Sequence, residues 1–153
     1  MAKQIHIIAV GKLKNKSLEE IENDYLKRIN NPPLVIHEVK AQAENPISEG
    51  EAILKKIRDL SQFGSNFLVA LSEWGSKMES VAFSDWINSK LELNGNMIFI
   101  ISGAEGFSEK VLQSCHFKIS LSQLTFPHKL ARILLIEQLY RAQTIRSGHP
   151  YHN

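Results

Sequence analysis

An α/β domain built on a mostly parallel sheet is the fold class this sequence predicts, and three observations predict it. Five short apolar runs recur along the 153 residues, separated by longer segments of helical periodicity. The composition, 43% hydrophobic and 22% charged, is that of an ordinary globular chain and argues against disorder, collagen and disulfide scaffolds. No internal repeat, low-complexity tract or linker breaks the pattern, so residues 1–153 are read as one domain. At this length folding removes about 70% of the unfolded surface from water, enough for one sizeable core.

The strands are expected at IHIIAV (5–10), LVIHEV (34–39), FLVALS (67–72), MIFIIS (97–102) and HFKISL (116–121), which makes one open sheet of five to six strands. Helices between them carry start signals. Ser17 with Glu20, Ser48 with Glu51 and Ser76 with Glu79 have the S-x-x-E spacing of a capping box, which satisfies unpaired amides of a first helical turn. After the third, Phe83, Trp86, Ile87 and Leu91 follow the spacing of one buried helical face, and Asn94-Gly95 ends it. The last helix, roughly His128 to Arg146, carries Leu130, Ile133, Leu134, Leu135, Ile136, Leu139, Tyr140, Ala142 and Ile145, more than one stripe requires. Two readings stand: a central helix buried on all sides, or one face on the sheet and another on a second subunit, as in a homodimer.

Other classes are excluded by what the chain lacks. The stretch MAKQIHIIAVGK is too short in its apolar part for a signal peptide, no apolar run approaches the roughly 20 residues that span a bilayer, and Cys115 is alone. A cytoplasmic protein without disulfides is expected. The formal net charge is only +2, but it is unevenly placed: residues 128–153 hold Lys129, Arg132, Arg141 and Arg146 against Glu137, with His128, His149 and His152 among them.

Two loops stand at the carboxyl ends of strands, where open α/β sheets bind ligands. In SGAEGFSE (102–109), Gly103 and Gly106 permit close backbone approach, although the loop lacks a G-x-G-x-x-G or P-loop spacing and such a loop, taken alone, is more often a plain turn than a nucleotide site. In SQLTFPH (122–128), Pro127 holds Phe126 extended and begins a helix, so Ser122 to Thr125 edge either a small-molecule pocket or an ordinary connection. The H-x-x-H of the tail has no third ligand at regular spacing, so no metal is expected. A neutral His suits proton acceptance, and Tyr151 suits stacking on a base.

These residues also resemble a known family. The segment LTFPHKLARILLIEQLYRAQTIRSGHPYH, with IIAVGK, VALSEWG and SGAEG, is similar over effectively the whole chain to the bacterial large-subunit ribosomal RNA pseudouridine N3-methyltransferases of the SPOUT superfamily. The resemblance implies an α/β SPOUT fold whose C-terminal part is threaded into a trefoil knot, an exception to the rule that chains avoid knots. It implies a homodimer with the knot at the interface, acting on 23S ribosomal RNA in an assembled ribosome. S-adenosyl-L-methionine would be contacted by Leu71, Gly103 and the run Ser122, Gln123, Leu124, Thr125, Phe126 and Pro127. His128 is expected to act as base or hydrogen-bonding group, Arg132 and Arg141 to stabilise the deprotonated base or hold phosphate, and Tyr151 and His152 to close over the target. The chain departs from the family's commoner GGPEG loop at Ser102 and Ala104, while keeping Gly103, Glu105 and Gly106. Two alternatives accompany this reading: a non-catalytic ribosome-binding or assembly factor, and a knotted methyltransferase of transfer RNA.

Overall fold

The computed structural model describes residues 3–153 apart from Glu44 and Phe63. Its elements follow in the order β1 (Gln4–Val10), α1 (Lys16–Arg28), β2 (Leu34–Val39), α2 (Pro46–Ser61), β3 (Asn66–Lys77), α3 (Ser80–Asn94), β4 (Asn96–Ile101), α4 (Glu109–Ser114), β5 (Phe117–Ser120) and α5 (His128–Ser147), with a 3₁₀ turn at Pro150–His152. The strands form one parallel sheet in the order β2-β1-β4-β3-β5. Helices cover both faces of such a sheet, so its inner strands are apolar on both sides. Accordingly Ile7 and Ile8 of β1 and Ile98, Phe99 and Ile100 of β4 are all fully buried.

One core layer lies between the sheet and α1, α3 and α5, where Phe83, Leu91, Leu135 and Leu139 meet Ile5, Ile7 and Phe99. The other lies under α2 and α4, where Ile53, Ile57 and Val111 meet Ile8, Ile98 and Ile100. On that second side His6 Nδ1 lies 2.9 Å from His37 Nε2. Burial, and then the neighbouring His37, lowers the His6 pKa to about 4, so the imidazole is neutral where it packs.

Each expected strand is present to within one residue at either end, except that the third runs on to Lys77. The reason lies in its partner. Leu71 and Ser76 both stand opposite Ile119 of β5, and Ser72 to Gly75 leave the ladder between them. The excursion returns through Gly75, where a Cβ would come within 2.6 Å of the Lys118 backbone.

The capping boxes are corrected by the structure. Asn15 Oδ1 accepts from Leu18 N at 3.0 Å and caps α1; Asn45 Oδ1 accepts from Ile47 N and Ser48 N at 3.0 and 3.2 Å and caps α2. An Asn two or three residues upstream reaches the same first-turn amides, so Ser17 and Ser48 fall inside their helices. Ser76 belongs to β3, and Glu79 stands at the α3 N-cap without a side-chain bond. The C-terminal signal holds: α3 ends at Asn94, with Gly95 at φ +83. Its buried face holds Phe83, Ile87 and Leu91, and Trp86 packs half-buried beside them.

Helix α5 packs between α1 and α3 and ends at Gly148 in the left-handed conformation. Burial on all sides does not occur within the protomer: Leu130 and Leu134, one turn apart, are 44% and 41% exposed. Among the described residues no helix is long and apolar enough to cross a membrane.

Candidate functional site

Three segments meet at the carboxyl end of the sheet. They are the β3 excursion (71–74), the β4–α4 loop (101–107) and the β5–α5 loop with the first turn of α5 (121–131), and they line a cavity of about 840 Å³. That volume lies within the roughly 300–1,000 Å³ of small-molecule and cofactor sites. Two of the segments follow a strand and the third interrupts one, so the sheet itself sets their spacing.

In the β4–α4 loop, Gly106 N donates to Gly103 O at 3.1 Å, and Gly106 takes φ +85. A side chain at Gly103 would collide with Glu49, 2.9 Å from where its Cβ would lie. The loop therefore presents backbone to the cavity at this point. In the β5–α5 loop, Ser120 Oγ donates to Ser122 O at 2.8 Å, and Leu124 N donates to Ser122 Oγ at 3.0 Å. These bonds pin the loop's start. Its middle is tied across the cavity, where the Thr125 hydroxyl donates to the Glu73 carboxylate. Pro127, extended at φ −54 and ψ 140, then turns the chain into α5.

Of the residues named from the sequence for cofactor binding, Leu71, Gly103, Ser122, Leu124, Thr125, Phe126 and Pro127 line the cavity, together with Ser102 and Ala104. Gln123 is exposed and is not among the lining residues. Trp74 and Leu124 stand 87% and 72% exposed at the mouth, an unusual cost for large apolar side chains that a bound ligand or second chain would relieve. The fit to S-adenosylmethionine is good in kind: a glycine cradle, apolar walls from Leu71, Phe107 and Phe126, and a carboxylate and hydroxyls at the rim.

The residues named for chemistry do not converge. His128 lines the cavity, half-buried at the first position of α5. Arg132 is 5% exposed and turned away from a ligand role: its Nε and Nη2 donate to Glu22 at 2.7 and 2.8 Å, and its Nη1 donates to Glu38 at 2.8 Å. Burial works against its charge, but the bonds to Glu22 and Glu38 outweigh it and raise its pKa. These bonds tie α5 to α1 and β2 and occupy the guanidinium that the sequence reading offers to a phosphate or a deprotonated base.

Arg141 lies about 20 Å along the helix from His128 at 1.5 Å per residue. It donates to Glu137 from Nε and Nη2 at 3.2 and 2.8 Å, and its Nη1 meets His152 Nδ1 at 3.1 Å. Tyr151 folds back beside it. The phenol donates to Glu137 at 2.9 Å and lies 3.2 Å from the Tyr25 hydroxyl, while its ring sits under the Arg141 guanidinium at 4.9 Å and edge-on to Tyr140. Burial first, then the bonds with Tyr25 and Glu137, push the Tyr151 phenol above its ordinary range. His149 Nδ1 accepts from Tyr151 N at 3.1 Å and shapes the turn.

Sequence reasoning missed Glu73 and Trp74 as individual site residues. The available signal was a Glu-Trp pair directly after an apolar strand, at the strand end that faces ligands.

Known proteins bear on this geometry. A family model described as "Predicted SPOUT methyltransferase" matches residues 3–152. The chain is 41% identical to the ribosomal RNA large subunit methyltransferase H of Clostridium botulinum (strain Kyoto / Type A2), over 97% of this chain and 98% of that protein. It is 39% identical to the protein of the same name from Flavobacterium psychrophilum, again over 97% and 98%. Among solved structures it is similar in fold to a probable methylase family protein from Haemophilus influenzae Rd KW20, with a TM-score of 0.59 at 13% identity, covering 97% of this chain and 70% of that one. It is similar also to the SpoU methyltransferase AviRb from Streptomyces viridochromogenes in complex with AdoMet, with a TM-score of 0.54 at 10% identity, covering 94% and 59%.

Proposed function

Because the chain belongs to the SPOUT methyltransferase family, we propose that it methylates N3 of a pseudouridine in 23S large-subunit ribosomal RNA, using S-adenosylmethionine and acting on the assembled ribosome. The observation that carries this reading is the cavity formed by three strand-end loops, with His128 on its wall. The names of the full-length relatives support the RNA class.

The cofactor would be held by Leu71, Gly103, Ser122 and the 124–127 run, with Glu73 and Thr125 at the rim. When bound it supplies a methyl group on a sulfonium centre, whose sulfur leaves as a neutral thioether. The N3 nitrogen carries a proton that must depart as the new N–C bond forms. His128 accepts it, because it lines the cavity, half-buried at the start of α5, and a ring nitrogen of imidazole can take up a proton. A base contributes typically 10²- to 10⁴-fold, whereas alignment of the reacting groups contributes up to about 7–11 kcal/mol, so the loops that hold the partners matter more than His128. No metal ion is called upon.

The active unit is a cytoplasmic homodimer of single-domain chains. Leu130 and Leu134 leave an apolar strip on α5 and Leu124 is exposed as well, and Arg141, with Tyr151 and His152 folded back on it, lies too far along α5 to reach its own chain's cavity. They serve the cavity of the second protomer, where Arg141 pairs with RNA phosphate and Tyr151 and His152 close on the base. The trefoil knot expected of this family would involve the same strand-end loops.

Incubation with labelled S-adenosylmethionine and assembled ribosomes, separated subunits or free RNA, followed by mapping of the label, tests the reading. Label on one large-subunit pseudouridine in ribosomes is expected. Label on transfer RNA, or no cofactor binding at all, overturns it.

A further inference from the structure

Glu49 is a buried charged group for which the methyl-transfer reading has no task. It sits in the first turn of α2, 3% exposed. Its Oε2 accepts from Gln42 N at 3.1 Å, while Oε1 has no hydrogen-bond partner among the described residues. A buried carboxylate oxygen left without a donor is costly, so a donor is expected to reach it in some state of the protein. The helix N-terminus around Glu49 favours the anion but supplies no bond to Oε1.

What lies against that oxygen is the glycine loop. An added Cβ at Gly103 would come 2.9 Å from Glu49 Oε1, 3.3 Å from Oε2 and 3.2 Å from Val10 Cγ1. The next residue of α2 is equally close to the same loop: a Cβ at Gly50 would lie 2.4 Å from Ser108 Oγ, the side chain that caps α4. Two successive residues of α2 therefore back the loop from behind, while its front lines the cavity through Ser102, Gly103, Ala104 and Gly106. The position a side chain would take at Gly103 faces Glu49 and is empty in glycine, so the carboxylate meets only the loop's main chain there, whose donors are N–H groups.

We propose that Glu49 is a positioning residue for the cofactor loop, its free Oε1 accepting a backbone N–H of residues 103–105 as the loop closes on S-adenosylmethionine. The bond is charge-assisted and is made behind the loop, without contact to the ligand. Gly103 is required on both sides, by the ligand in front and by the carboxylate behind. This inference rests on the cofactor reading above.

Calorimetric titration of the full chain with S-adenosylmethionine tests it, together with amide hydrogen exchange of the loop. Glu49→Gln keeps the volume but offers one carbonyl oxygen for two acceptor positions, and is expected to weaken cofactor binding about tenfold, a loss of about 1.4 kcal/mol. The 103–105 amides should gain exchange protection on cofactor addition in the wild type and lose that gain in Glu49→Gln. Gly103→Ala should weaken binding as well, and less so when Glu49→Ala has removed the oxygen it strikes; Glu49→Asp takes that place in the cycle if the alanine variant does not fold. Wild-type affinity and loop protection in Glu49→Gln overturn the inference, as do Gly103 and Glu49 losses that simply multiply. Failure of the wild type to bind the cofactor overturns the functional reading itself.

Discussion

Two arginines of α5, Arg132 and Arg141, stand in opposite physical situations. Arg132 is sealed between Glu22 of α1 and Glu38 of β2, carboxylates 110 and 94 residues away in sequence. Arg141 is half-buried and is held by Glu137 of its own helix, four residues before it, with Tyr151 and His152 laid over it by the tail. A guanidinium whose partners are assembled by folding is part of the fold. One whose partners are local and partly solvated can exchange them for a phosphate or a base. The same residue type on one helix thus divides between architecture and recognition according to what surrounds it.

Stability measurements sharpen that division most strongly. Arg132→Ala leaves Glu22 buried without its counter-charge and is expected to cost roughly 3–5 kcal/mol in urea denaturation. Arg141→Ala, at a partly solvated i,i+4 pair, is expected to cost about 1 kcal/mol or less. Equal losses would erase the distinction.

Activity should divide the other way. Removal of residues 149–153 is expected to abolish RNA methylation while cofactor binding stays measurable by calorimetry; loss of both would make the tail a structural part. His128→Ala, at the cavity end, should slow methylation about 10²-fold, the low end for a general base. Wild-type rates in that variant would remove His128 from the reaction.

The smallest effect is a titration at the tail. The folded state holds the Tyr151 proton above the ordinary phenol value of about 10. A raised folded value means that the tail's contribution is complete below that pH and is lost as pH rises through the shifted value. Thermal melts from neutral to alkaline pH should show this loss in the wild type and not in Tyr151→Phe. The variant itself forfeits the hydroxyl's contacts with Glu137 and Tyr25, about 1–2 kcal/mol at neutral pH.

Much of the site was legible because its signals are local. Gly103 and the 122–127 run stand directly after apolar runs, and a glycine loop or a Pro-His turn announces itself within a few residues. The capping boxes misled for a local reason too: Asn15 and Asn45 offer the same acceptor as Ser17 and Ser48 slightly earlier, and periodicity does not arbitrate between them. Glu73 and Trp74 escaped because the excursion that presents them exists only through the double pairing of β3 with Ile119. The engagement of Arg132 was not legible because its charge is visible in the sequence and its two carboxylate partners are not.

By itself, the sequence determined the sheet's strands, the helices between them, the two loops that edge the cavity and the family. These follow from period, turn chemistry and short motifs, all of which act over a few residues. Only the tertiary structure decided which charges are spent on holding the fold, which backbone the buried Glu49 supports, and that His128 and Arg141 face different places. Those outcomes depend on pairings between residues tens of positions apart, and burial, which decides what a charged group can do, is a property of the packed whole.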